Sequence, residues 1–284
     1  MFLVTGANGE LFGRPVLDHL RRLVPEADVI AGTRDPGSVA ATGVQVRRVD
    51  FDDPTSLATA FQGVTAVLIN GTNYGTQAER RAGQHAAAIR AAVEAGIGRI
   101  VYTSWPDPEL LPSMSDFAES EALLRSLSAD ATTLRTTYGL AQTVGRDVTT
   151  AMASGTLAAP AGQARTAPAH IDDLAEAAAR VLASDEHRGK LYTLTAADSI
   201  DWTDLAGLAA TTTGKPIEYQ SITDDEFASN LIAQGIPSAV VDTLLGVYRA
   251  FRAGWTSTPT NDLATILRRT PKRAIEAVAA VITT

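Results

Sequence analysis

The sequence contains no cysteine, which excludes disulfides, thiolate nucleophiles and cysteine-ligated metals together. Lysine is nearly as scarce. Only Lys190, Lys215 and Lys272 stand among 24 basic residues, the rest being arginine, a bias that suggests a GC-rich genome. Positive charge is not in excess either: the formal net charge of −8 argues against a general affinity for nucleic acid, which needs clustered lysine and arginine. No apolar run approaches the ~20 residues that cross a bilayer, so no membrane association is expected. The first residues already read as a core strand, leaving no room for a signal peptide, and a cytoplasmic protein is expected. HExxH, paired-carboxylate and GxSxG motifs are also missing, and the four histidines have no ligand spacing. No metal site and no hydrolase chemistry are inferred.

What is present is an ordinary globular composition, 45% hydrophobic and 20% charged over 284 residues. That suits one large domain with an appended lobe, at roughly 100–200 residues per domain. Short apolar runs alternate with helical patterns. MFLVTG, DVIAGTR, VQVRRVDF, TAVLING, GRIVYTS and ATTLRT read as strands; Leu11–Leu23, Gln77–Ala95 and residues around 116–128 read as helices. Such alternation implies an α/β fold, a Rossmann-type doubly wound parallel sheet covered on both faces. Asp53 caps a helix beginning at Pro54, and Gly96 closes the long one. From about Thr156 the pattern loosens into helices over DDLAEAAARVL and WTDLAGLAATTTG, strands over KLYTLTA and PIEYQSI, and a helical tail broken at Pro237, Pro259 and Pro271. The expected organisation is a dinucleotide-binding domain over 1–155 and a smaller mixed α/β substrate-binding lobe over 156–284. Ligands in such folds lie outside the carboxyl ends of the strands, so the site is expected between the two.

TGANGELFG directly follows the first strand. A dinucleotide turn needs small residues for a tight turn, close approach to the pyrophosphate and helix packing. Gly6 and Gly9 are conventionally spaced, but Gly13 falls one residue late. An added residue in the turn, with Phe12 directed into the apolar layer, accommodates this. The turn residues Gly6, Asn8, Gly9, Glu10, Leu11 and Phe12 are therefore the cofactor candidates. The second strand ends GTRDP, with Arg34 where an NAD enzyme carries a carboxylate. A cation there suits a 2′-phosphate, with Arg14 as a second jaw. NADP(H) is expected over NAD(H). Asp50 closes the third strand, either to meet the adenine amino group or to cap the next turn.

TGANGELFG, GTRDP, EAGIGRIVYTS and LRRTPKRAIEAV together resemble the NmrA-like branch of the atypical short-chain dehydrogenase/reductases, most strongly over residues 1–140. That branch includes NADPH-dependent quinone reductases and redox-sensing regulators. The resemblance implies that Gly6, Asn8, Gly9 and Leu11 line the cofactor diphosphate and Arg34 its 2′-phosphate. It also implies that the loop from Gly71 through Thr72 and Asn73 to Tyr74 passes near the nicotinamide ribose. Catalytic short-chain reductases pair a serine at the end of the fifth strand with Tyr-x-x-x-Lys on the next helix. The serine is present as Ser104, but the helix reads FAESE, with Phe117 and Glu121.

Without that pair, reduction of an isolated ketone lacks its proton donor, whereas a quinone accepts hydride as a delocalised phenolate. Tyr74, Trp105 and Tyr138 lie just beyond predicted strands and would wall a pocket for a flat aromatic substrate. With Ser104 and His170 they complete the catalytic candidates. PDPELLPS after Trp105 reads as a lid loop with few internal hydrogen bonds, its neighbours Asp107, Glu109 and Asp116 as exposed carboxylates, and Asp172 as the cap of the helix after His170. An NAD(P)H-dependent oxidoreductase acting on an aromatic, quinone-like substrate is expected, with an aromatic polyketide intermediate as one candidate. A non-enzymatic dinucleotide sensor and an atypical monooxygenase of a hydroquinone remain open. The Gln77–Ala95 and Ser115–Ser128 helices could pair across a two-fold in a homodimer, and nothing in the sequence requires it.

Overall fold

The computed structural model describes residues 1–38, 43–71 and 77–282. Its elements run β1 (Phe2–Thr5), α1 (Gly13–Leu20), β2 (Val29–Thr33), β3 (Gln45–Arg48), α2 (Pro54–Ala60), β4 (Ala66–Ile69), α3 (Ala78–Glu94), β5 (Arg99–Ser104), α4 (Ser115–Leu127) and β6 (Thr132–Thr136). There follow α5 (Leu140–Ser154), β7 (Thr156–Ala159), β8 (Arg165–Thr166), α6 (Ile171–Ala183), β9 (Leu191–Leu194), β10 (Ile200–Asp201), α7 (Trp202–Thr213), β11 (Glu218–Ser221), α8 (Asp224–Ala233), α9 (Ser238–Arg252), α10 (Asp262–Leu267) and α11 (Ala274–Ile282).

Seven strands form one sheet in the order β3-β2-β1-β4-β5-β6-β9, and each neighbouring pair is parallel. The chain winds outward from β1 to β3, returns at β4 and winds the other way. Helices cover both faces of the sheet: α1 packs on α6, and α3 on α4. With both faces covered, β2 and β4 are buried along their whole length. This is the doubly wound Rossmann-type sheet expected from the alternating pattern.

The chain divides into two compact units. The first comprises Met1–Thr136, Ile171–Leu194 and Thr265–Arg269 and holds the sheet; the second comprises Thr137–His170, Thr195–Ala264 and Thr270–Thr284. In the second, α5 packs against α7 and α11, β11 pairs with β7 in parallel, and β10 pairs antiparallel with β8.

Local signals act as their chemistry requires. The Asp53 carboxylate accepts from the Thr55 and Ser56 amides at the start of α2, and Gly96 takes a left-handed φ of 69° just past α3. Three expectations need correction, two of them in local structure. The helix α6 begins at Ile171, so Asp172 lies within its first turn and meets His19 Nε2 on α1 at 2.8 Å. The segment PDPELLPS is not short of internal bonds. It folds into two 3₁₀ turns, with the Leu110 amide donating to Asp107 at 3.0 Å and Met114 to Leu111 at 2.8 Å.

Each unit buries polar groups. Between α3 and α4, Arg81 clasps Asp116 with bonds of 2.6 and 2.7 Å, while Tyr102 Oη and His85 Nδ1 meet at 2.9 Å. Asp116 is 3% exposed, not the exposed carboxylate expected. In the second unit, Asp147 on α5 accepts from Trp202 Nε1 and from Tyr248 Oη, both at 2.7 Å. Burial pushes the His85 pKa down to about 4 and the Asp147 pKa up to about 6.

These two groups pull stability in opposite directions with pH. His85 titrates below its ordinary 6.5, so its contribution is complete above that pH and is lost as pH falls toward 4. Asp147 titrates above its ordinary 3.8, so its contribution is complete below that pH and is lost as pH rises through about 6. Thermal unfolding followed between these limits should therefore show a shallower loss of Tm on acidification in His85→Gln than in wild type, and a steeper loss in Asp147→Asn.

Candidate functional site

The turn between β1 and α1 is built on one close approach. Gly6 adopts φ 62°, which a side chain disfavours, and its carbonyl accepts from the Gly9 amide at 3.0 Å. A β-carbon on Gly13 would stand 2.0 Å from that same carbonyl oxygen. The late third glycine is thus where the helix start meets the turn, and nothing larger fits. The added residue is Phe12, only 2% exposed, which anchors the turn in the apolar layer. Asn8, Gly9, Glu10 and Leu11 form the exposed rim. The Glu10 and Leu11 amides make no hydrogen bond among the described residues. Leu11 is 40% exposed beside them. Free amides at a helix start, with a cradle that a β-carbon would fill, fit a diphosphate. Arg34 follows β2 and Arg14 is the second residue of α1; both are exposed. Asp50 is occupied by its own turn: one oxygen accepts from the Asp52 amide at 3.2 Å, the other from Arg48 at 2.8 Å.

The carboxyl ends of β1, β4 and β5 are laced together. The Asn70 amide donates to Thr5 Oγ1 and the Gly71 amide to Thr103 Oγ1, both at 2.8 Å, while Thr103 Oγ1 donates to Asn70 Oδ1 at 3.1 Å. A β-carbon on Gly71 would lie 2.8 Å from the Phe117 ring, so the chain runs against that ring. Thr72, Asn73 and Tyr74 lie outside the described residues. Ser104 ends β5, and its buried hydroxyl has no hydrogen-bond partner among the described residues. An orphaned donor at the ligand-bearing edge is what a site supplies to a carbonyl or ribose oxygen. Trp105 follows it, largely buried.

On α4, Phe117 stands where a reductase tyrosine would. It is buried against His85, with ring centroids 5.0 Å apart, and Arg81 lies 5.3 Å from its centroid. Glu121, in the lysine's place, is 3% exposed and grips Arg135 of β6 through two bonds of 3.0 and 2.9 Å. Arg135 also reaches Asp107 at 3.2 Å. Those bonds, led by Glu121, push the Arg135 pKa further up. A guanidinium so paired neither gives up a proton nor lowers a phenol's pKa.

Tyr138 and His170 belong to the second unit. Tyr138 is half-buried just before Gly139, which opens α5 with φ 80°. Lys272 Nζ stands 3.4 Å from both ring nitrogens of His170. Asn70, Thr103, Arg135 and Lys272 belong to no recognisable motif of their own. Lys272 sits within LRRTPKRAIEAV, which carried the family resemblance without a role, and Asn70 and Thr103 sit at strand ends, where a polar residue interrupts an apolar run. Among the described residues no group of three acidic or histidine side chains could hold a metal ion, and no helix is long and apolar enough to cross a membrane.

Comparison with known proteins finds relatives over most of the chain. The NmrA-like family pattern matches residues 1–265. Quinone oxidoreductase 2 of Escherichia coli (strain K12) is 32% identical over 249 residues, covering 86% of this chain and 85% of that protein. Among solved structures, the Escherichia coli NADPH-dependent quinone oxidoreductase complexed with NADPH superposes with a TM-score of 0.90 at 29% identity over 99% of both chains. The Citrobacter sp. triphenylmethane reductase complexed with NADP(H) gives 0.90 at 28% identity, again over 99% of both.

The cradle makes a sharp demand on residue 13. Gly13→Ala is expected to displace α1, weaken NADPH binding at least about tenfold by calorimetry, a loss of about 1.4 kcal/mol or more, and lower Tm. Gly83→Ala on α3, where nothing lies within 4 Å, should leave binding intact and stabilise by up to about 1 kcal/mol.

Proposed function

The chain belongs to the NmrA-like family, and from that premise we propose that it is an NADPH-dependent oxidoreductase that reduces flat, quinone-like aromatic acceptors by direct hydride transfer. The observation that carries this reading is the pairing of an intact nucleotide cradle with a blocked acid position. The Glu10 and Leu11 amides and Gly6–Gly13 would hold the diphosphate, and Arg34 the 2′-phosphate. When bound, the reduced nicotinamide supplies the hydride. Phe117 and the Glu121–Arg135 pair supply no proton, so the acceptor must stabilise the incoming electron pair itself. A quinone does this by becoming a delocalised phenolate, which water protonates afterwards. An isolated ketone would become an alkoxide, too basic to leave unaided.

What remains for the chain is positioning and water exclusion. The Ser104 hydroxyl is free to donate to the acceptor oxygen, and Trp105 offers an aromatic face beside it. Aromatic polyketide intermediates are the candidate natural substrates, since they are flat and quinonoid.

Loss of reduced-nicotinamide absorbance with naphthoquinones and anthraquinones, and no turnover of acetophenone, is the expected result. Tight binding of NADPH and NADP⁺ without turnover of any quinone would overturn the reading and leave a dinucleotide sensor. Arg34→Ala should cut the preference for NADPH over NADH about tenfold, the scale of one charge-assisted hydrogen bond, with NADH kinetics little changed. Ser104→Ala should lower kcat with quinone while leaving NADPH affinity unaltered.

A further inference from the structure

A cavity of about 600 Å³ opens within the second unit between α5, β7, α8 and α9. It is in the size range of small-molecule sites. Its walls are mainly apolar and aromatic, with Leu231 and Leu244 along the sides and Phe227, Tyr248 and Phe251 presenting rings. Phe227 and Tyr248 meet edge to face at 5.0 Å. Asp147 also lines this space. Its two oxygens accept only from neutral donors, the Trp202 indole and the Tyr248 hydroxyl, and no arginine or lysine pairs with it among the described residues. Arg146, next to it on α5, also lines the cavity, but its guanidinium is exposed to water, where solvent and salt weaken its repulsion of a cation.

We propose that this cavity is a ligand site of its own, specific for a small organic cation with an apolar body, such as an arylalkylamine. A carboxylate has about four lone-pair positions, and the two donors leave room for an ammonium. The charge that the donors leave uncancelled is the element such a cation compensates. Aromatic faces around it add cation–π attraction, and the aliphatic walls take the hydrocarbon part. An anionic ligand would meet the carboxylate unfavourably, and a neutral one would gain nothing from it. The proposal stands on the second unit alone and does not depend on the activity proposed above.

The probes are 4-phenylbutylamine and its uncharged counterpart 4-phenyl-1-butanol, titrated at neutral pH into the full chain by calorimetry, with the Trp202 indole as a fluorescent reporter. The amine should bind tighter than the alcohol. Asp147→Asn should weaken the amine about tenfold, the scale of one charge-assisted hydrogen bond, and leave the alcohol nearly unchanged. Leu244→Trp, which fills the cavity, should remove both. NADPH affinity should be the same in both variants, which separates this site from the nucleotide turn. Failure of the amine to bind at millimolar concentration, equal affinity for amine and alcohol, or undiminished amine binding in Leu244→Trp would each overturn the proposal.

Discussion

The carbonyl oxygen of Gly6 occupies the space that a β-carbon on Gly13 would need, and much of the first unit follows from that contact. It seats the start of α1 directly on the turn after β1, so the helix axis is set by backbone rather than by adaptable side chains. The turn residues Asn8, Gly9, Glu10 and Leu11 are exposed, and the Glu10 and Leu11 amides make no hydrogen bond among the described residues. Phe12 closes the underside. From its seat α1 packs on α6, and His19 on α1 reaches Asp172 in the first turn of α6. One steric constraint thus joins the phosphate-facing rim to the packing of a sheet face, and the displaced glycine is the signature of that arrangement.

A second constraint governs chemistry. The α4 positions that would carry a proton donor and its cation are filled by groups with structural tasks. Phe117 packs against His85 and fixes the path of Gly71. Glu121 and Arg135 neutralise one another inside the unit. Breaking such a pair by removing one partner leaves an uncompensated buried charge, which costs about 3–5 kcal/mol. The departure from the short-chain reductase pattern is therefore woven into the packing of α4 on β5 and β6. The Ser104 hydroxyl keeps an uncommitted donor at this edge, and a single donor is enough for an acceptor that spreads negative charge over a ring.

The fold was largely legible because the central strands β1, β2 and β4 are almost wholly apolar and the helices are punctuated by strong signals. Asp53, Gly96, Pro237 and Pro271 mark ends where the structure has ends. The helix α5 went unread. Its sequence LAQTVGRDVTTAMAS mixes a glycine with five β-branched residues, lowering intrinsic propensity, and tertiary packing against α7 and α11 overrides that weakness. The cradle glycines were legible for the same reason that they exist, since glycine is the residue such backbone approaches permit. Pairings between distant segments were not. Nothing local in FAESE shows that Glu121 will face Arg135, or that the carboxylate of Asp116 will be buried under Arg81. PDPELLPS was misread because prolines removed donors from the count while leaving the carbonyls that accept from Leu110 and Met114.

The two units treat buried charge differently, and the difference bears on what each can bind. In the first, Asp116 faces Arg81, Glu121 faces Arg135, and Asp173 faces Arg269 at 2.7 Å. Each carboxylate there meets a guanidinium and has little field left to act on a visitor. In the second, Asp147 is held by an indole and a phenol. Neutral donors orient a carboxylate and ease its desolvation, but they do not cancel its charge, which is why burial raises its pKa despite two short hydrogen bonds. A paired charge serves the fold alone. An oriented, unpaired charge facing an apolar cavity imposes a sign on whatever enters, and Asp147 imposes a positive one.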